Sequence, residues 1–257
     1  MRTRAAAIGA VGLALVAGPA AARVDPTPPG VTAAWAPRAP VMVVGARRVL
    51  APARALRLGA ARLRARGRSC AVGAGTPLAA LEAARRAGGP RFSLRDFGRC
   101  SSSPRDAALL FVDAIGPDRN RGRDGWVYKV GRRAGTLGAG DLDARVRAGS
   151  PVLWFWCSAG RGGRCRRTLE LSLAGRVVAP GAPVDVTVRS YDDAGRGRVV
   201  AGAQVILGAP RTLGAARATT GRDGTATLAA PPAAGRYPVD ASADGLVGSF
   251  PQNVTVR

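Results

Sequence analysis

The chain has 257 residues, a formal net charge of +23 and no histidine. The missing histidine removes the usual general base of Ser and Cys hydrolases and the commonest zinc ligand. The charge is almost all arginine, scattered without aromatic-rich RNA-binding strands or a recognition helix, so nucleic acid is set aside as the partner.

A GC-rich codon bias gives this Arg, Ala, Gly and Pro excess without any ligand. An acidic cell-envelope polymer stays open, because a net-positive surface draws polyanions without specificity. At the start, Met1–Arg4 is basic, Ala5–Val16 is apolar and uncharged, and Gly18-Pro19 precedes the small residues Ala20–Ala22. Those are the three parts of a secretory signal peptide over 1–22, cleaved near Ala22. The apolar part is shorter than the roughly 20 residues that span a bilayer. No later stretch reads as a transmembrane segment. The expectation is therefore a secreted, extracellular chain whose four cysteines form two disulfides.

Residues 23–40 form a Pro-rich leader. Val41–Val44 reads as a strand, and a second is expected near Leu56–Leu63. Thr76 can cap a helix that opens on Pro77, with Leu78, Leu81, Ala84 and Ala87 on one side and Gly88-Gly89-Pro90 as its stop. Phe92–Phe97 is a short extended piece. Three strands follow, at Leu109–Ile115, Trp126–Val130 and Val152–Cys157, with the turn-rich loop Gly116–Gly125 between the first two. Arg167–Leu173 reads as a strand leaving this domain, and Val178–Pro183 has linker composition. Short alternating strands then recur at Val184–Arg189, Ala203–Leu207, Thr225–Leu228, Tyr237–Ala241 and Val254–Arg257, as in a β-sandwich. The expected layout is an α+β domain over 41–175, a linker over 176–183 and an all-β sandwich over 184–257.

Gly75–Leu78, Phe111–Ile115, Gly125–Gly131 and Ala148–Trp154, in that order, resemble the C-terminal domain of transcobalamin and its bacterial relatives. That resemblance implies a soluble-ligand-binding β-grasp fold with one main helix and, by family alone, a corrinoid as ligand. Relatives often carry Val-Asn-Gly after the aromatic strand, whereas Val130-Gly131-Arg132 lacks the Asn. Ala201–Val205, Thr220–Leu228 and Gly235–Ala241 resemble bacterial immunoglobulin-like and carboxypeptidase-regulatory-like domains, which implies a spacer or adhesion module without peptidase chemistry.

No nucleophile–base set is visible, so no catalytic residue is assigned and no enzyme activity is expected. Asp141 and Asp143 form a carboxylate pair, but in a Gly-rich loop. Asp118, Asn120, Gly122 and Asp124 alternate like the start of a calcium loop, but arginines lie between them and no bidentate Glu follows, so no metal is assigned. The aromatics carry more. Trp126 and Tyr128 share one face of their strand, and Trp154 and Trp156 share one face of theirs. The last strand is apolar on both faces, so both are covered. One cover is the helix; the other is the second domain, a loop or a ligand. Trp126, Tyr128, Trp154 and Trp156 are thus the candidate ligand-binding residues. The expected role is binding or adhesion at the cell envelope, with a purely structural spacer as the alternative.

Four cysteines allow three pairings. Cys157 and Cys165 flank a loop with three glycines, and Cys70 and Cys100 flank the helix, so those are the expected pairs. Loop entropy gives upper-end contributions of about 3.7 kcal/mol for the longer loop and about 2.6 kcal/mol for the shorter. Peptide mapping of the unreduced protein is expected to yield Cys70–Cys100 and Cys157–Cys165 peptides; a Cys70–Cys157 peptide would show the reasoning wrong.

Overall fold

The computed structural model describes residues 36–159, 163–208 and 215–257, and strands dominate it. The expected signal peptide and residues 23–35 of the expected leader lie outside the described residues; the leader's last three residues, Arg38–Pro40, instead belong to the first strand, where they pair with Arg57, Leu56 and Ala55. The described residues belong to one compact unit.

The first module is built on a mixed sheet. Strands β1 (Arg38–Val44) and β2 (Val49–Arg57) form a hairpin. Strands β3 (Ala61–Ala65) and β4 (Arg68–Val72) form a separate two-stranded sheet. The single strand expected near Leu56–Leu63 is therefore split. Leu58 is the reason: fully buried, its N–H donates to the Pro37 carbonyl, and the chain leaves the first sheet there. Helix α1 (Pro77–Arg86) starts where the capping residues put it, with Thr76 Oγ1 accepting from Ala79 N at 3.1 Å. Strands β5 (Phe92–Asp96), β6 (Leu110–Ile115) and β7 (Asp118–Arg119) form a three-stranded sheet, and a 3-10 turn over Pro104–Leu109 leads into β6.

Strands β8 (Gly125–Val130), β9 (Arg133–Ala134) and β10 (Val152–Cys157) complete the mixed sheet in the order β2-β1-β10-β8-β9. Its central pair, β1 and β10, is parallel, and the connection between them carries α1. One face of the sheet, with Val41, Val43, Trp154 and Trp156, packs against Leu78, Leu81 and Ala84 of α1 and against Leu94, Val112 and Ile115.

The second module is a two-sheet sandwich. Strands β11 (Thr168–Leu173), β13 (Pro183–Tyr191), β14 (Gly197–Val199) and β17 (Thr225–Ala229) form one sheet around β13. Strands β12 (Val177–Val178), β15 (Gln204–Leu207), β16 (Ala216–Thr219), β18 (Gly235–Ser242) and β19 (Gln252–Val256) form the other. Alternate residues point inward, so Leu169, Leu171, Val186 and Val188 meet Val205, Leu207, Val239 and Val254 in one apolar core.

The expected boundary at 176–183 is corrected by this pairing. β11 is antiparallel to β13 from Thr168↔Tyr191 to Leu173↔Val186, and β12 pairs with β19. The sandwich therefore begins at Thr168, and the passage between modules is the stretch 158–167, closed by the Cys157–Cys165 disulfide. Composition suggested a linker because Val178–Pro183 holds two prolines and a glycine. Gly181 instead makes a turn at φ +71°, and Pro183 opens a strand, a place where its missing N–H is tolerated. The other disulfide joins Cys70 to Cys100.

The second face of the mixed sheet is covered by the sandwich. Met42, Val44, Leu153 and Phe155 pack with Val247 and the partly buried Phe250. At the centre of this junction lies Lys129, the chain's one lysine, fully buried. Its ammonium has three N–H donors. They meet Asp192 O at 3.0 Å, Tyr191 O at 3.1 Å and Thr168 Oγ1 at 3.4 Å, with Asp193 Oδ1 3.5 Å away. Beside it, Arg132 holds Glu170 through two hydrogen bonds, and its guanidinium lies over the Tyr191 ring.

Burial lowers the Lys129 pKa from the ordinary value of 10.5, and the Asp193 carboxylate only partly opposes this. Between the lowered value and 10.5 the unfolded chain keeps a proton that the folded chain has released. This group therefore makes stability rise with pH across that window. Lys129→Met should lower unfolding free energy at neutral pH by about 1–3 kcal/mol, because buried acceptors lose their donor. It should also remove that part of the alkaline rise. Urea unfolding as a function of pH checks both; wild-type stability in the variant would contradict the assignment of Lys129 as the tie between modules.

Candidate functional site

Cross-strand register sets the aromatic group. Trp126 lies opposite Trp156 and Tyr128 opposite Trp154 in the β8–β10 pair. The Trp126 and Trp156 rings meet edge to face at 5.7 Å, and the Tyr128 and Trp154 rings are tilted at 5.4 Å. All four are buried in the core on the α1 side. Their polar ends are satisfied within the fold. Trp154 Nε1 donates to Pro77 O at 3.1 Å, Trp126 Nε1 to Asp118 O at 2.8 Å and the Tyr128 hydroxyl to Leu137 O at 2.8 Å. Burial, and then the Asp141 carboxylate, raise the Tyr128 pKa, so the phenol remains a neutral donor.

Three of the four also reach a surface cleft of about 350 Å³. Trp126, Tyr128 and Trp154 lie at its inner wall, whereas Trp156 is not part of it. Its outer walls are β6, the end of the 3-10 turn and the strap 135–139. The strap lies close by necessity. A Cβ on Gly135 would sit 1.9 Å from the Tyr128 ring, and one on Gly138 would sit 1.8 Å from Ala108 O.

The residues that sequence reading did not single out are those at the mouth. Phe97, Leu109, Phe111 and Leu137 are 66, 58, 45 and 45% exposed. They are four of the seven large apolar side chains exposed among the described residues, and all four line this one cleft. Phe97 and Phe111 touch edge to face at 5.9 Å. Scattered exposed apolar residues are ordinary; a set converging on a concavity makes this cleft the candidate site.

The alternating polar loop has a different use. Asp118 Oδ2 accepts from Ala46 N, Asn120 bridges Val112 O and Trp126 N, and Asp124 Oδ1 accepts from Ala159 N. These side chains tie the loop to its neighbours. Asp141 accepts from the N–H of Asp143 in a local turn. Among the described residues no group of three or more potential ligands stands where it could hold a metal ion. No helix among them is long and apolar enough to cross a membrane.

No protein-family model matches the chain, and no curated protein matches it. Among solved structures it is similar to the D00-D0 domain of intimin, at 16% identity over 67% of this chain and 80% of that one, with a TM-score of 0.26. A likeness so distant carries no argument about function. None of these findings places the first module in the transcobalamin-like family.

Core and mouth should separate under mutation. Trp154→Ala should cost about 3–5 kcal/mol, as for a buried Trp truncation. Phe97→Ala should change stability by only about 0.5 kcal/mol, as at an exposed position. Thermal unfolding of the two variants checks this, and a large loss on Phe97→Ala would make the mouth part of the core.

Proposed function

We propose that this is a secreted, non-catalytic binding protein of the cell envelope. In this reading a β-grasp module holds a small soluble ligand, and an immunoglobulin-like sandwich carries it. The strand order β2-β1-β10-β8, with a parallel central pair and a helix in the crossover, supports the β-grasp assignment. Two disulfides suit an oxidising compartment. The lack of histidine favours binding over hydrolysis.

The observation that carries the proposal is the convergence of Phe97, Leu109, Phe111 and Leu137 on one cleft backed by Trp126, Tyr128 and Trp154. Its size falls at the small end of ligand pockets, which run from about 300 to 1,000 Å³. It suits a body of two or three fused rings. A corrin macrocycle is larger than this apolar cleft, so the corrinoid that family resemblance alone implies forms no part of this reading.

An uncharged fluorescent probe, N-phenyl-naphthylamine, should brighten on adding the protein. Phe111→Asp, which puts a charge at the mouth, should abolish the signal, while Val199→Asp on the sandwich should leave it intact. A signal indifferent to Phe111→Asp, or no signal, would overturn the binding reading and leave the spacer role.

A further inference from the structure

The cleft does not end at its apolar part. A second hollow of about 430 Å³ adjoins it and shares Phe97, Phe111, Trp126 and Val127 as common walls. Its far side is formed by Arg95, Asp113, Asn120, Arg121, Arg123 and Asp124. The groove is therefore apolar at one end and charged at the other.

Most of the polar groups at the charged end are already committed. Asp113 is buried between two guanidinium groups, with Arg95 Nε at 2.7 Å from one oxygen and Arg119 on the other. Asn120 spends its amide on backbone partners, and Asp124 accepts from Ala159 N. Arg121 and Arg123 differ. Both are exposed, and neither guanidinium has a hydrogen bond or ion pair among the described residues. Arg95, Arg119, Arg121 and Arg123 together outnumber Asp113 and Asp124, which leaves this end positive.

Resting on the cleft reading above, we propose that the ligand is a soluble anionic amphiphile. Its apolar ring or chain would lie against Phe97 and Phe111, and its acid group would meet Arg121 and Arg123. Guanidinium groups suit this task. They stay charged at any physiological pH and present paired donors to carboxylate, sulfonate or phosphate oxygens. They also lie on the Gly116–Gly125 loop, whose base is fixed by the Asp118, Asn120 and Asp124 bonds. The loop thus offers its arginines from an anchored frame.

The test uses the full chain and two probes of like shape, anilinonaphthalene sulfonate and uncharged N-phenyl-naphthylamine. Arg121→Gln/Arg123→Gln should weaken the sulfonate by about tenfold, a loss of about 1.4 kcal/mol. It should leave the uncharged probe unaffected. Arg217→Gln/Arg222→Gln, which removes the same charge from the exposed surface of the sandwich, should change neither. Added salt should weaken the sulfonate alone. If the cleft pair weakens the sulfonate no more than the sandwich pair does, general charge attraction explains binding and the anion site is overturned, with the cleft still standing. If Phe111→Asp leaves both probes bound, the cleft reading itself has failed.

Discussion

The two modules depend on a buried ammonium group. A charge taken out of water is costly unless its donors are met. Lys129 therefore confines the β13–β14 turn to one position, because only there do the carbonyls of Tyr191 and Asp192 and the hydroxyl of Thr168 converge on Nζ. The apolar layer of Leu153, Phe155, Val247 and Phe250 is non-directional and would tolerate sliding. The ammonium is directional. It gives the junction a register that oil-like contact alone would not.

The same strand works in two directions. β8 sends Lys129 toward the sandwich and Trp126 and Tyr128 toward the cleft, because successive side chains point to opposite faces. The inner wall of the cleft is thus held by a strand that is fixed from behind. On the open side, the strap 135–139 is held by the Tyr128 hydroxyl and by the absence of side chains at Gly135 and Gly138. The result is a preformed concavity whose exposed aromatics already face each other, so little side-chain ordering is left for a ligand to impose.

Much of this was legible in the residues and some was not. Thr76-Pro77 and the three-residue apolar spacing mark α1, and the aromatic runs mark β8 and β10, because local chemistry and period suffice there. The double-sided apolar pattern of Val152–Cys157 shows that both faces are covered, yet nothing local says that Val247 and Phe250 provide the second cover. The break between modules was misplaced because prolines and glycines mark turns inside a sandwich as readily as linkers between domains. The named aromatics are the wall of the cleft rather than its mouth. Phe97, Phe111 and Leu137 are distant in sequence, and their convergence exists only once β6 has paired and the strap has closed.

The parallel pairing of β1 with β10 has a mechanical consequence. The first module is entered through β1 and left through β10, and these two strands run side by side in the same direction from Val41↔Val152 to Val44↔Phe155. Tension between Arg38 and Cys157 would therefore drag one strand along the other and load their hydrogen bonds together, in shear, rather than peel them open one by one. The sandwich differs: it is entered at Thr168 through β11, which pairs antiparallel with β13. The first module therefore resists a pull between its entry and exit strands along their length, with several hydrogen bonds sharing the load.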